Sequence, residues 1–115
     1  DQSQLIGNVI FIDRYDNVIT NIKKRFFESI QKGRRFEILV RNKRFKKIYT
    51  NYSDIVDFSI PLQNRNDEGR AMVVFNSSEY LEIAMYKSNK YTVGGASSLM
   101  GLDMMDSVTV QFFED

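Results

Sequence analysis

The stretch "VIFIDRYDNVIT", residues 9–20, places two apolar runs on either side of a polar cluster. β-Branched and aromatic residues are typical of strands, and Asp and Asn favour tight turns because their side chains bond to the local backbone. We predict strands over Leu5–Ile12 and Val18–Ile22, joined by a turn. A turn is the simpler interpretation of Asp13 and Asn17, and a binding role is the alternative.

The rest of the chain repeats this pattern of short apolar runs between polar connections. "KKRFFESIQKG" at 23–33 has apolar residues at helical spacing and a Gly at its end, which predicts a short helix. Long loops are predicted over Tyr52–Glu68 and 86–98, where Ser, Asn and Gly are common. Five more strands are predicted, in "RFEILV" (35–40), "RFKKIYT" (44–50), "RAMVVFN" (70–76), "YLEIAM" (80–85) and "SVTVQFF" (107–113). We therefore expect an all-β fold, a small barrel or sandwich of six or seven short strands with one or two short helices.

Length and composition indicate one globular domain over residues 1–115, with 43% hydrophobic and 27% charged residues. Cys and His are both absent, so we expect no metal site, and a Ser-His or Cys-His nucleophile is excluded. Because no apolar run is long enough to span a membrane and the first residues lack a secretion signal, we expect a cytoplasmic protein. The first residue is Asp1 rather than Met, so we also expect the chain to be a piece of a longer one.

The net charge of +1 conceals a basic segment. Residues 23–50 hold 11 Lys and Arg against Glu28 and Glu37, a local charge of +9. This segment suggests a nucleic-acid-binding barrel, with the backbone tracked by Arg41, Lys43, Arg44, Lys46 and Lys47. The alternatives are a solvated hairpin and a face that docks on an acidic partner domain.

A second polar cluster, Asn76-Ser77-Ser78, lies between two predicted strands. Hydroxyl groups and backbone N–H groups in a tight turn can hold a carboxylate or a phosphate. A Ser-lined hairpin loop without a ligand explains the same residues.

These motifs, taken in order, resemble a known family. "GNVIFIDRYDNVITNI", "YSDI", "FNSSEYLEIAM" and "GGASSLMGLDMMDSVTV" are similar to the C-terminal domain of the adenosine-forming S-adenosyl-L-methionine hydrolases, also called S-adenosylmethionine hydroxide adenosyltransferases and related to fluorinase and chlorinase. "IDRYDNVITNI" resembles the family's Ile-Asp-Arg-Phe-Gly-Asn-Val-x-Thr-Asn-Ile, and "NSSEYLEIA" resembles its Asn-Ser-x-Gly-x-Leu-x-Ile-Ala. The resemblance spans nearly the whole chain, although residues 23–50 match only in pattern.

The resemblance implies a shared active site. In this family an N-terminal α/β domain precedes the β domain, and homotrimers place the substrate between one subunit's N-domain and its neighbour's C-domain. The implied reaction is attack of water on the ribose 5′ carbon of S-adenosylmethionine, which gives adenosine and L-methionine. The Asp-Arg-His set that acts on the water belongs to the N-domain, so no catalytic residue and no cofactor is expected here, and this chain alone is expected to be inactive.

The resemblance also implies substrate contacts, residue by residue. Asp13 matches the Asp at the substrate ammonium, Asn17 the Asn at adenine, Tyr52 an aromatic on the adenine face, and Ser77 a Ser at the methionine carboxylate. Four further candidates are Tyr15, Ser78, Met85 and Lys87, the last two by their distance from the "LEIA" motif.

Three residues depart from the family pattern. Asp16 and Glu79 each stand where Gly is usual, and Ser78 stands where the halogenating relatives carry Arg, so halogenation is not expected. Asp tolerates the left-handed backbone conformation better than most residues, which predicts that the turn at 13–17 survives. A structural domain whose pocket has lost its ligand is the third interpretation, beside the hydrolase and nucleic-acid hypotheses.

Overall fold

A computed structural model describes residues 3–50, 71–85 and 96–114. Seven antiparallel strands form one barrel-shaped sheet, which confirms the predicted all-β class. The strands are β1 (Gln4–Ile12), β2 (Val18–Lys23), β3 (Arg35–Val40), β4 (Lys43–Phe45), β5 (Ala71–Phe75), β6 (Tyr80–Met85) and β7 (Ser107–Phe113), and the helices are α1 (Lys24–Gln31) and α2 (Ala96–Met100). Within these ranges no helix is long and apolar enough to cross a membrane.

Strand β1 joins the two halves of the sheet, whose order is β4-β3-β7-β1-β2-β6-β5. Its first half pairs with β7, and its second half pairs with β2, with a register shift between Val9 and Phe11. Beyond β4 the chain reaches the opposite edge, where the Tyr49 N–H donates to the Val73 carbonyl at 2.8 Å. This contact brings the two edges together and nearly closes the barrel.

Gly7 lies where β1 passes from pairing with β7 to pairing with β2, and a side chain does not fit there. A Cβ added there would lie 2.5 Å from Cγ1 of Ile22 and 2.7 Å from Oδ1 of Asn21. The same Asn21 oxygen accepts a hydrogen bond from the Asn8 N–H at 2.8 Å. A side chain at position 7 would therefore push β2 away from β1 where they begin to pair.

The core consists of the side chains that point from the strands into the barrel. Val108, Val110 and Phe112, predicted from their alternation in β7, are buried. Phe27 of α1 closes one end of the barrel, and its ring makes edge contacts with the rings of Phe36, Phe75 and Phe112 at centroid distances of 5.2, 5.6 and 5.5 Å. Such edge-to-face contacts are the arrangement that aromatic pairs prefer.

The predicted helix is present, and the next two strands form a hairpin. Helix α1 ends where Lys32 and Gly33 take positive φ angles of 51° and 75°, and Phe26, on its outer side, is 52% exposed. Strands β3 and β4 pair through Val40 and Lys43 across a two-residue turn. The long loops predicted over 52–68 and 86–98 lie outside the described residues, except that Ala96 begins α2.

Candidate functional site

The turn between β1 and β2 is built around the Asp13 carboxylate. Its Oδ1 accepts the backbone N–H groups of Tyr15 and Asn17, both at 2.9 Å, and its Oδ2 accepts the Asn17 side-chain amide at 3.2 Å. Backbone bonds from Asp13 N to the Asn17 carbonyl and from Asp16 N to the Asp13 carbonyl complete the turn. Asp13 and Asn17, predicted separately as ligand contacts, therefore touch each other and are held in fixed orientations.

This turn is also anchored to α2. Asp16 has a positive φ of 68°, and its carbonyl accepts the backbone N–H of Ser97 at 3.0 Å. Helix α2 packs against β6, and β6 runs past the start of β2, where Ile83 pairs with Val18, to end at Met85. Met85 therefore lies at the same end of the barrel as the turn. Sequence reasoning missed Ser97, although the segment "GGASS" carried part of the family resemblance.

Several groups on the turn remain available to a ligand. Asp13 and Asn17 are half-buried, and no described residue donates to the Asn17 amide oxygen. Tyr15 is 63% exposed, with its hydroxyl bonded to Arg14 at 2.8 Å and the Arg14 guanidinium 4.9 Å from its ring centre. The turn thus offers an amide, a carboxylate and an aromatic ring to a ligand.

The turn between β5 and β6 has the same architecture. Here the Asn76 Oδ1 accepts the backbone N–H groups of Ser78 and Tyr80, both at 3.0 Å. Glu79 takes a positive φ of 66°, as Asp16 does in the first turn. The Asn76 amide donates to the buried Glu82 carboxylate at 3.2 Å, which fixes this turn to β6 as well.

The two turns lie at opposite ends of the β2–β6 ladder. Val18, at the start of β2, pairs with Ile83, whereas Lys23, at its end, pairs with Tyr80. The two pairs are five residues apart along β2 and three along β6, across a register shift, so the turns are separated by roughly 10–16 Å at the usual rise per residue. Ser77 and Ser78, both exposed, are therefore not brought beside Asp13 and Asn17. Tyr52 and Lys87 lie outside the described residues.

The basic segment is divided between two environments. Arg41 pairs with Asp106 at 2.8 Å and Arg44 with Glu37 at 3.3 Å. The backbone N–H of Asp103 and the Arg41 guanidinium lower the pKa of Asp106 below its usual 3.8. Within the described ranges no carboxylate pairs with Lys43, Lys46 or Lys47, so the five residues do not form one uniform basic strip.

Comparison with known proteins gives a family and a fold. The chain is similar to the crystal structure of an uncharacterized conserved protein from Thermotoga maritima, with a TM-score of 0.66 and 22% identity. The match covers 96% of this chain and 37% of that protein. The chain also matches a conserved hypothetical protein from Thermus thermophilus with a TM-score of 0.56 and 18% identity, over 94% of its length and 34% of that chain.

At these identities the two structures show a shared fold, and the chain spans little more than a third of their length. A search of curated proteins gave no match. Residues 7–109, however, match the family described as SAM hydroxide adenosyltransferase C-terminal domain. The turns at 13–17 and 76–80 both fall inside that match, and the chain belongs to this family.

Proposed function

We propose that this chain is the substrate-binding and assembly domain of a cytoplasmic enzyme that hydrolyses S-adenosyl-L-methionine to adenosine and L-methionine. Family membership supports the class of reaction. The observation that carries the residue assignment is the Asp13–Asn17 turn, because its side chains are fixed before any ligand arrives. Preorganised groups lose less conformational entropy on binding than mobile ones.

Asp13 is proposed to receive the substrate ammonium. Its carboxylate uses three acceptor positions inside the turn, which leaves capacity for a further charge-assisted hydrogen bond. Since the turn holds both oxygens in place, the carboxylate does not have to be reoriented when the ligand binds.

Asn17 is proposed to read adenine. One hydrogen of its side-chain amide is directed to Asp13, so the second hydrogen and the amide oxygen can meet the ring nitrogen and the exocyclic amine of adenine together. This bidentate pairing is the one that Asn makes with adenine in other complexes, and it contributes about 1–3 kcal/mol of discrimination. Met85, at the end of β6, and exposed Tyr15 border the same region.

The carboxylate end of the substrate is assigned to Ser77, with Ser78 beside it, on the resemblance. The ammonium and the carboxylate of S-adenosylmethionine are bonded to the same carbon, whereas the two turns lie at opposite ends of the β2–β6 ladder. The arrangement within one chain therefore supports the Asp13 contact, and the Ser77 contact rests on the resemblance alone. Tyr52 is assigned to stack on adenine and Lys87 to lie near it, also on the resemblance.

The remaining half of the site belongs to an N-terminal domain, of the same or a neighbouring subunit in a homotrimer. Water attacks the ribose 5′ carbon, the bond from that carbon to sulfur breaks, and a proton leaves the attacking oxygen. The sulfonium is already a good leaving group, so positioning and desolvation supply most of the acceleration. No cofactor is required, and this chain contributes binding rather than a catalytic residue.

Calorimetric titration of S-adenosylmethionine and adenosine into the chain, with a parallel assay for released adenosine, tests this proposal. We expect weak binding without turnover, and we expect Asn17→Ala to weaken adenosine binding about tenfold or more. Asn42→Ala, the same change in the exposed β3–β4 turn, is the matched control. Turnover by the chain alone would overturn the shared site, and unchanged affinity of Asn17→Ala would overturn the assignment of adenine to this turn.

A further inference from the structure

A concave site lies at the other end of the barrel, away from the Asp13–Asn17 turn. It is a cleft of about 410 Å³ between α1 and the segment 46–50 that follows β4. The Lys24 N–H, at the start of α1, donates to the Glu79 carbonyl at 2.9 Å, which fixes α1 to the β5–β6 turn. Neither the Asp13–Asn17 turn nor Ser77 is among the described residues that line it.

Three ammonium groups line this cleft. Lys24 comes from α1, and Lys46 and Lys47 come from the segment opposite, and all three residues are exposed. Among the described residues no carboxylate lies within ion-pair distance of any of them, in contrast to Arg41 and Arg44. The one carboxylate described in the lining is Glu28, so the cleft carries an excess of positive charge that can hold an anion.

The floor of the cleft is aromatic. Phe36 and Phe75 are half-buried there, and both rings pack against Phe27, which keeps them in place. Half-buried Tyr49, also in the lining, packs its ring against Met72 and Val74 on the other face of β5, with the Lys47 ammonium 4.8 Å from the ring centre. An aromatic ring that enters the cleft would meet edges and faces of other rings, which is a favourable contact.

The size of the cleft limits what it can accept. Sites for small molecules usually have volumes of about 300–1,000 Å³ and combine an apolar lining with a few polar groups. This cleft is at the lower end of that range, with ammonium groups at the rim and rings at the floor. It matches one aromatic ring that carries one anionic group.

We propose that this cleft binds a small aromatic phosphate, such as a nucleoside monophosphate, with its phosphate on Lys24, Lys46 and Lys47 and its ring over Phe36 and Phe75. Neither Asp13 nor Asn17 is among the described residues that line it. Binding in this cleft would give a role to the lysines of the basic segment that have no carboxylate partner among the described residues.

Adenosine 5′-monophosphate, adenosine and inorganic phosphate are the probes, each followed by amide chemical shifts of the whole chain. We expect the monophosphate to shift the amides of Phe36, Tyr49 and Phe75, and adenosine to leave them unchanged. The double variant Lys46→Ser with Lys47→Ser is expected to weaken monophosphate binding about tenfold, since each exposed ion pair contributes modestly. The control is Arg25→Ser with Lys43→Ser, which removes the same charge outside the cleft lining and is expected to change affinity less than about twofold.

Three outcomes would overturn the proposal. Shifts confined to residues 13–17 would assign the monophosphate to the other site, and equal weakening in both double variants would indicate a diffuse charge effect. Binding of single-stranded RNA through Lys43 and Arg44, with no effect of the monophosphate on the cleft, would indicate a nucleic-acid surface. The Asn17→Ala variant separates the two proposals, because it is expected to bind the monophosphate in the cleft like the unaltered chain.

Discussion

Asp16 and Glu79 occupy equivalent positions in the two hairpin turns. Each takes a positive φ, 68° and 66°, within a turn whose backbone is bonded by an Asx side chain. Left-handed backbone costs most residues about 1–2 kcal/mol, and Asp less than Glu because its short side chain can bond locally. The Gly that the family usually has at both positions would avoid this cost.

Glu79→Gly is expected to stabilise the chain by about 0.5–1 kcal/mol, since the relief of the left-handed conformation exceeds the entropy lost by Gly. Asp16→Gly is expected to stabilise the chain less than Glu79→Gly does, because Asp tolerates the left-handed conformation better. Urea unfolding measures both changes. Ser78→Gly, one residue earlier at a φ that is not positive, is the control and is expected to be neutral or destabilising. If Ser78→Gly stabilised as much as Glu79→Gly, backbone strain would not be the cause.

The residue scale also limits what the sequence could predict. A turn at 13–17 and the tolerance of Asp16 for its conformation followed from local preferences, and both were confirmed. The contact between Asp13 and Asn17 could not be predicted. The same two residues fit a carboxylate that bonds to its own turn and a carboxylate that binds a ligand, and the sequence does not distinguish the two. The bond from Ser97 to Asp16 joins segments that are 81 positions apart, and no local pattern encodes it.

At the scale of elements, the β3–β4 turn is tied to the loop that precedes β7. Asp106 accepts the Asp103 backbone N–H and the Arg41 guanidinium, both at 2.8 Å, and together they lower its pKa. A carboxyl group with a lowered pKa in the folded state contributes stability at pH values above its unfolded value of 3.8. That contribution is lost as the pH falls through the folded value.

Asp106→Asn is therefore expected to be less stable than the unaltered chain at pH 7, with the difference shrinking as the pH falls below 3.8, where Asp106 takes up a proton first in the unfolded chain and then in the folded chain. Chemical unfolding at a series of pH values measures this. Glu37→Gln removes the carboxylate of the Arg44 pair and is the control for general loss of an ion pair. A difference for Asp106→Asn that persisted unchanged to about pH 2.5 would show that charge is not responsible.

Strands were predictable from the sequence where apolar and polar residues alternate. They were less predictable where the chain leaves one neighbouring strand to pair with another. The alternating run in β7 was located correctly. "RFKKIYT" was predicted as a strand to Thr50, but β4 ends at Phe45 because the chain leaves β3 there to reach β5 at Tyr49. The sequence did not predict helix α2 as an element distinct from the loop before it, because five residues are too few to show helical periodicity.

At the scale of the whole molecule, the described part of the sheet has a continuous centre and a seam with fewer hydrogen bonds. Val110 of β7 pairs with Leu5 on one side and with Ile38 on the other. The seam between the end of β4 and β5, in contrast, is described only by the single bridge of Tyr49 to Val74. The order of the strands, and hence this seam, could not be read from the sequence, because it depends on which distant strands pair.

Native-state hydrogen exchange is expected to follow this division. The Tyr49 amide, bonded to the Val73 carbonyl at 2.8 Å, is expected to exchange on the order of 100-fold faster than the Val110 amide, because the one bridge found there among the described residues can open while neighbouring strands remain paired. The comparison requires correction for intrinsic exchange rates, and Leu39 of β3 serves as an intermediate reference. Equal protection of Tyr49 and Val110 would mean that the barrel opens only as a whole, so that the cleft beside Tyr49 is as rigid as the core.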